Sequence, residues 1–197
     1  MPDNHLSTAV TEKLSELLEV YYPVARQSMI YAEVVTGEFN YIGVSELRDV
    51  LDHIKRAVNA SDEEKALNDI ADAHEHVRRC AVESVQRAAT KTFFDALRVI
   101  RYPHWMYRLL LLDVPDKKYA RKLRMTAMDN IASGRSHKSD KSQWITSLDD
   151  FKTSIDASLE IVDMFPSKNQ VRIQVFIIIC GLIAIFSFLR DIFGNSQ

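Results

Sequence analysis

"VFIIICGLIAIFSFL", Val175 to Leu189, carries no charge and no proline, and its reading decides the fold. The uncharged stretch is in fact longer, from Ile173 to Leu189, with Arg172 before it and Arg190 after it. As a helix these 17 residues rise roughly 26 Å, close to the hydrocarbon thickness of a thin bilayer. Val171, Ile192 and Phe193 lengthen the apolar surface. The run is apolar all round, relieved only by Gln174, Gly181 and Ser187. A core helix of a soluble domain keeps a polar stripe for water. The sequence therefore predicts one transmembrane helix, the alternative being a buried core helix. Its place near the C-terminal end does not suit a cleavable signal.

The flanks set an orientation. Lys168 and Arg172 precede the span, and Arg190 after it is partly offset by Asp191. Positive charge is retained on the cytoplasmic side. A single-pass protein of the cell inner membrane is expected, with residues 1–166 a cytosolic helical bundle, 167–193 the transmembrane helix and 194–197 a short tail. The two cysteines, Cys80 and Cys180, fall in separate predicted helices, one of them the span, so a disulfide framework is not expected.

The chain has 197 residues, 47% of them hydrophobic, with only 5 Gly and 5 Pro. That suits a mostly helical protein with one soluble domain large enough to bury a core. The net charge of −2 hides an asymmetry. Residues 1–97 carry 10 basic and 17 acidic side chains, whereas 98–141 carry 11 basic and 4 acidic. A basic segment thus lies in the middle of an otherwise acidic chain.

Apolar spacing predicts the helices in turn. The first runs from about Ser7 to Val35, kinked by Pro23 and ended by Gly37. "TGEFNYIG" is expected as a loop, and Ser45 as the cap of a second helix reaching Asn59, with Leu47, Val50, Leu51, Ile54 and Val58 on its apolar face. "SDEE" at Ser61–Glu64 has capping-box spacing and opens a long helix to about Arg101. Its buried stripe is expected at Leu67, Ile70, His74, Val77, Ala81, Val85 and Ala88. Pro103 stops it. "HWMYRLLLLD" is a short apolar helix. Pro115 starts another that Gly134 closes, followed by a polar loop, "SGRSHKSDKS". A last soluble helix spans about Gln143 to Met164, with Trp144, Ile145, Leu148, Phe151, Ile155, Leu159 and Val162 on one face. Pro166 divides it from the span. No stretch reads as a strand. The fold class is all-α: a bundle of four to five long helices followed by one C-terminal transmembrane helix.

"RDVLDH", Arg48 to His53, is the motif richest in chemistry. It resembles the Arg-polar-x-x-x-His motif of HEPN domains, which are small helical bundles. The resemblance implies a composite site from two protomers that cleaves RNA without metal. His53 would then transfer protons, Arg48 would steady phosphate charge and Asp49 would hold the polar position. The other reading is a solvated helix surface with Arg48–Asp52 and Asp49–His53 pairs. If the second and third helices form a tight hairpin, Arg48, Asp49, Asp72, His74, His76 and Arg79 gather in a polar seam, with His53 near Asn68 and Asp69. The seam reads as an anion pocket or as an ion-pair network fixing the hairpin register. His74, on the apolar stripe, is expected as a core residue. No metal-ligand spacing and no P-loop, GxGxxG or GxSxG motif is present, and no cofactor is expected.

"KKYARKLR" supplies Lys117, Lys118, Arg121, Lys122 and Arg124, a basic patch suited to anionic headgroups or RNA backbone, or a solvated face. Arg135, His137, Lys138 and Lys141 are expected to extend its field. Phe93, Phe94, Leu97, Trp105, Leu109 and Leu112 are too apolar to leave in water. They are candidates for an oligomer interface, as are Gly181 and Ala184 in the span, or they pack within the protomer. The resemblance brings in membrane-attached helical proteins that accompany prokaryotic antiviral, CRISPR-type systems. Three functions stay open: a non-catalytic oligomeric effector that perturbs membrane permeability, a membrane-anchored HEPN-type endoribonuclease, and a membrane scaffold. The expected partners are the lipid bilayer, further copies of the chain, and RNA or an RNA-guided effector complex. Nothing indicates DNA.

Overall fold

A computed structural model of the chain describes residues 7–101, 104–113 and 116–194. Among these every regular element is helical and none is a strand. The expected roles of Pro103 and Pro115 fall outside the described residues.

The first helix is divided in three. Ser7 caps α1 (Thr8–Glu16), its Oγ accepting from Val10 N at 3.3 Å. A π-helical segment, Leu17–Tyr21, leads into α2 (Tyr22–Thr36), with Pro23 in its first turn. Proline lacks an N–H and its ring crowds the carbonyl four residues back. Widening the preceding turn, so that Tyr22 N donates to Leu17 O, accommodates that without breaking the rod. Gly37 ends α2 at φ 64°, a left-handed conformation that glycine adopts without strain.

The next helix corrects two expectations. α3 (Tyr41–Val58) starts inside the stretch read as a loop, and its cap is Asn40, not Ser45. Asn40 Oδ1 accepts from Gly43 N at 3.1 Å, while its Nδ2 donates to Ser84 Oγ at 2.6 Å. Gly43 is a packing residue, because a Cβ there would stand 3.0 Å from the Met29 side chain and 3.1 Å from Ser84 Oγ. Likewise Asp62, not Ser61, caps α4 (Glu63–Ile100), accepting from Lys65 N at 2.8 Å.

α4 has 38 residues and is the axis of the bundle, packed against α2, α3, α6 and α7. Ile70, Val77, Ala81, Val85 and Ala88 are buried as their spacing requires, whereas Leu67 and His74 are half-buried. Ala66, Ala73, Cys80, Val82, Ser84 and Ala89 are buried as well. One stripe was too narrow a description. Small side chains on several sides let neighbours close in all round.

α5 (His104–Leu109) is short, and α6 (Lys117–Ser139) runs antiparallel to α7 (Trp144–Met164). α6 does not stop at Gly134, which is buried in its interior, so most of the expected polar loop is helix. On α7, Trp144, Leu148, Phe151 and Ile155 are buried and Leu159 packs against them. Val162 joins the second cluster described below. Ile145 departs from that face at 45% exposure. On α3, Leu51 and Val58 are likewise exposed.

Two apolar clusters result. The larger joins α1 to α4 with the first half of α7. The smaller gathers Ala96, Tyr107, Ala120, Leu123, Ala127, Ala157, Ile161 and Phe165, with Phe93 packed against both. This second cluster lies where α7 gives way to α8 (Lys168–Gly194), across a break at residues 165–167. Ser167 and Gln170 cap α8 reciprocally, Ser167 N donating to Gln170 Oε1 at 2.7 Å and Gln170 N to Ser167 Oγ at 3.2 Å. α8 is long and apolar enough to cross a membrane, and every residue from Ile179 to Asp191 is exposed.

Candidate functional site

The α3–α4 hairpin does form, and its seam holds two histidines side by side. The rings of His53 and His76 lie 5.1 Å apart between centroids, tilted by 34°. Each has a carboxylate at Nδ1: Glu46 Oε2 is 2.7 Å from His76, and Asp69 Oδ1 is 3.3 Å from His53. Asp72 Oδ2 stands 3.8 Å from His53 Nδ1. The His53 and Asp69 side chains are only 14% and 12% exposed, so their attraction is little screened by water. A carboxylate at one ring nitrogen fixes the orientation of an imidazole and leaves the other for proton exchange.

Arg56 complicates this arrangement in an informative way. Its Nε donates to Asp69 Oδ1 at 3.1 Å, and its Nη2 lies 2.7 Å from His53 Nδ1. A guanidinium only donates, so the second contact needs a bare Nδ1, whereas the Asp69 contact needs a proton there. The two contacts of His53 are therefore alternatives set by its tautomer. The donor atoms of His53, Asp69 and Asp72 lie within 4.8 Å of one another, a grouping from two helices that ligand spacing along the chain does not reveal. Arg56 already supplies the cation those groups face.

The other residues of the expected seam are dispersed. Arg48 is 71% exposed and pairs with Asp49 at 3.1 Å, and His53 turns to α4. The expected Arg48–Asp52 and Asp49–His53 pairs are thus replaced. Among the described residues no hydrogen bond or ion pair joins Arg48 to His53. His74 faces the other side of α4, edge-on to Tyr21 with ring centroids 4.3 Å apart. Residues two apart on a helix point nearly opposite ways, which is why His74 and His76 do not converge. Burial lowers the pKa of His74. Arg79 pairs with Glu75 at 3.4 Å, and Glu75 also receives Arg78.

Lys117, Lys118, Arg121, Lys122 and Arg124 are all exposed on the first turns of α6. The hydroxyl of Tyr119 donates to Glu160 near the end of α7, so the basic face lies at the end of the bundle from which α8 departs. Its expected extension is different in kind. Lys138 bonds Glu83 and Gln86, His137 Nδ1 lies 2.6 Å from Asp150, and Lys141 is 3.4 Å from Glu75. These three tie α6 and the turn after it to α4 and α7, and their charge is compensated. Arg135 stays exposed.

Of the apolar candidates, Phe93 and Leu112 are partly buried in the protomer core. Leu97 is half-buried. Phe94, Trp105 and Leu109 are 56%, 66% and 66% exposed. Gly181 and Ala184 are exposed on α8, and nothing lies within 4 Å of where a Cβ on Gly181 would be. Both cysteines are free, Cys80 buried and Cys180 exposed.

Comparison with family models, with curated proteins and with solved structures found no match. Any function must therefore be argued from the residues themselves.

Proposed function

We propose that the protein is a single-pass membrane effector: a cytosolic helical bundle whose C-terminal helices cluster and change the permeability of the bilayer that holds them. One observation carries this reading, the unpartnered apolar surface of α8. Large side chains such as Phe176, Leu182, Phe186 and Phe188 are each more than 60% exposed. Such a surface needs lipid or other copies of itself. One helix encloses no aqueous path, so permeation needs several, and small residues at Gly181 and Ala184 permit close approach of backbones. The resemblance to proteins of prokaryotic antiviral systems offers a setting, with the inner membrane as the site and the bundle as the receiver of a signal.

A second reading, the membrane-anchored HEPN-type ribonuclease, draws on His53. An imidazole held by a carboxylate is equipped for proton transfer, and a site shared by two protomers does not need Arg48 and His53 to meet within one chain. One experiment separates the readings. Membrane potential and RNA integrity are followed together in cells producing the full chain, the chain ending at residue 170, or Arg48→Ala/His53→Ala. The effector reading expects depolarisation by the full chain and by the double variant, none by the truncation, and intact RNA throughout. RNA cleavage that the double variant abolishes while remaining helical replaces it with the ribonuclease.

A further inference from the structure

An open cavity of about 1040 Å³ lies among the last turn of α4, α5 and the α7–α8 junction. Its apolar lining includes the half-buried Val99, Met106, Val162 and Val171 and the buried Tyr107 and Phe165. Its rim is cationic, with Arg98, Arg101, Lys168 and Arg172 set against the carboxylate of Asp163. Arg98 is held by Asp95 at 3.0 Å. Arg101, Lys168 and Arg172 meet no carboxylate among the described residues. Three unneutralised cations around an apolar wall match a ligand that is anionic at one end and hydrocarbon at the other.

The position of the cavity says where such a ligand comes from. Arg172 is the last charge before the uncharged run that opens at Ile173. With α8 in a bilayer, the rim stands at the depth of the headgroups. Beside it, Trp105, Leu109 and Leu111 are 66%, 66% and 81% exposed, and tryptophan favours that depth.

We propose that this cavity binds one anionic phospholipid of the bilayer that α8 crosses. Its phosphate meets Arg101, Lys168 and Arg172, and its upper acyl carbons lie along Val99, Met106, Val162 and Val171. The inference rests on reading α8 as a span. A free phosphate ion satisfies the rim but leaves the apolar wall without a partner, so the lipid is the better complement.

The test uses the full chain in nanodiscs of phosphatidylcholine with a minor fraction of phosphatidylglycerol, and counts retained lipid by native mass spectrometry after release into mild detergent. Phosphatidylglycerol is expected on the protein at roughly tenfold its bulk ratio, from cation–headgroup attraction at the surface. Arg101→Gln/Lys168→Gln should return the ratio to bulk, and Arg101→Lys/Lys168→Arg should keep it. Excess inorganic phosphate should not displace the lipid. A bulk ratio on the unaltered chain overturns the proposal, as does displacement by phosphate, which makes this a site for the free ion. Loss of enrichment in Lys118→Gln/Lys122→Gln but not in the cavity variant assigns the lipid to the face of α6 and also overturns it. A chain that never enters the discs, whatever their lipid, removes the span as well. That failure is distinct from a chain that inserts and shows no preference.

Discussion

Gly134 lies directly against the ring of Phe151: a Cβ on the glycine would stand 2.8 Å from Cε1 of the phenylalanine. Phe151 is fully buried, so its ring has no free space into which to retreat. The absence of a side chain at Gly134 leaves the Phe151 ring of α7 room to lie against α6. Alanine brings a gain of about 1 kcal/mol in helix propensity, against an overpacking cost of about 1–3 kcal/mol. Gly134→Ala is expected to lower stability by a net ~1 kcal/mol, and Gly134→Val by more. Thermal melts of the full chain in mild detergent check the order, and a melt raised by alanine would show that Phe151 yields.

Asn40 performs two tasks at one point, capping α3 and bonding Ser84 on α4. It is 6% exposed. Asn40→Ala removes a cap, about 1 kcal/mol, and deprives Ser84 of its amide donor for a similar amount. A loss of about 2 kcal/mol is expected. Asn40→Asp keeps the acceptor for Gly43 N but loses the donor and buries a charge, so it should not rescue. Denaturant midpoints of the two variants measure this, and an aspartate variant as stable as the parent would mean that the Ser84 bond is dispensable.

Acid should loosen the bundle at two sites. The hydrogen bond from Arg78, aided by Lys141, draws the Glu75 carboxyl from 4.5 to about 2 against the opposing effect of burial. A depressed folded pKa means that the unfolded chain binds the proton more readily, so this contribution is complete above pH 4.5 and fades as pH falls toward about 2. His74 is a base that burial keeps neutral in the fold. Its contribution fades as pH falls below the ordinary histidine value, roughly 6.5. Glu75→Gln should flatten the lower window and His74→Phe the upper one. Melting temperature against pH for the three proteins resolves them, and unchanged slopes would count against both assignments.

The clustering of α8 proposed above has a built-in reporter. Cys180 shares a helix face with Ala184 and Ser187, at spacings of four and seven. Cys80 does not compete, since burial pushes its thiol up to about 12 and its Sγ donates to Gly43 O at 3.4 Å. A short apolar bis-maleimide should link copies through Cys180 in membranes, not in Cys180→Ser, and less in Gly181→Leu. Linkage indifferent to Gly181→Leu would move the contact to another face.

Fold class was legible because each long helix has an apolar spacing that only a helix satisfies, and α8 was legible as a helix long and apolar enough to cross a membrane because almost nothing in it asks for water. The misread boundaries share one cause. Glycine marks a turn when φ must be positive, as at Gly37, and a close approach when a neighbour needs the space, as at Gly43 and Gly134. Sequence alone does not separate the two. In the seam, the hairpin register brought His53 to Asp69 as expected. The pairing of His76 with Glu46 was not singled out, although the same register, two turns further along, sets Ser45–Arg48 against Ala73–His76. Arg48 and His74 were grouped with the seam by nearness along the chain, and their angular position on the helix sends them elsewhere.

Phe165 is 6% exposed and anchored beside Tyr107, with ring centroids 6.0 Å apart, so the joint between the bundle and α8 narrows to Pro166 and Ser167. Pro166 has no N–H to give, whereas Ser167 already belongs to the cap of α8, its carbonyl accepting from Val171 N at 3.0 Å. Where the bundles are gathered, their α8 helices are gathered too. On the effector reading proposed above, a membrane response is expected to follow local crowding and to rise with the number of chains gathered.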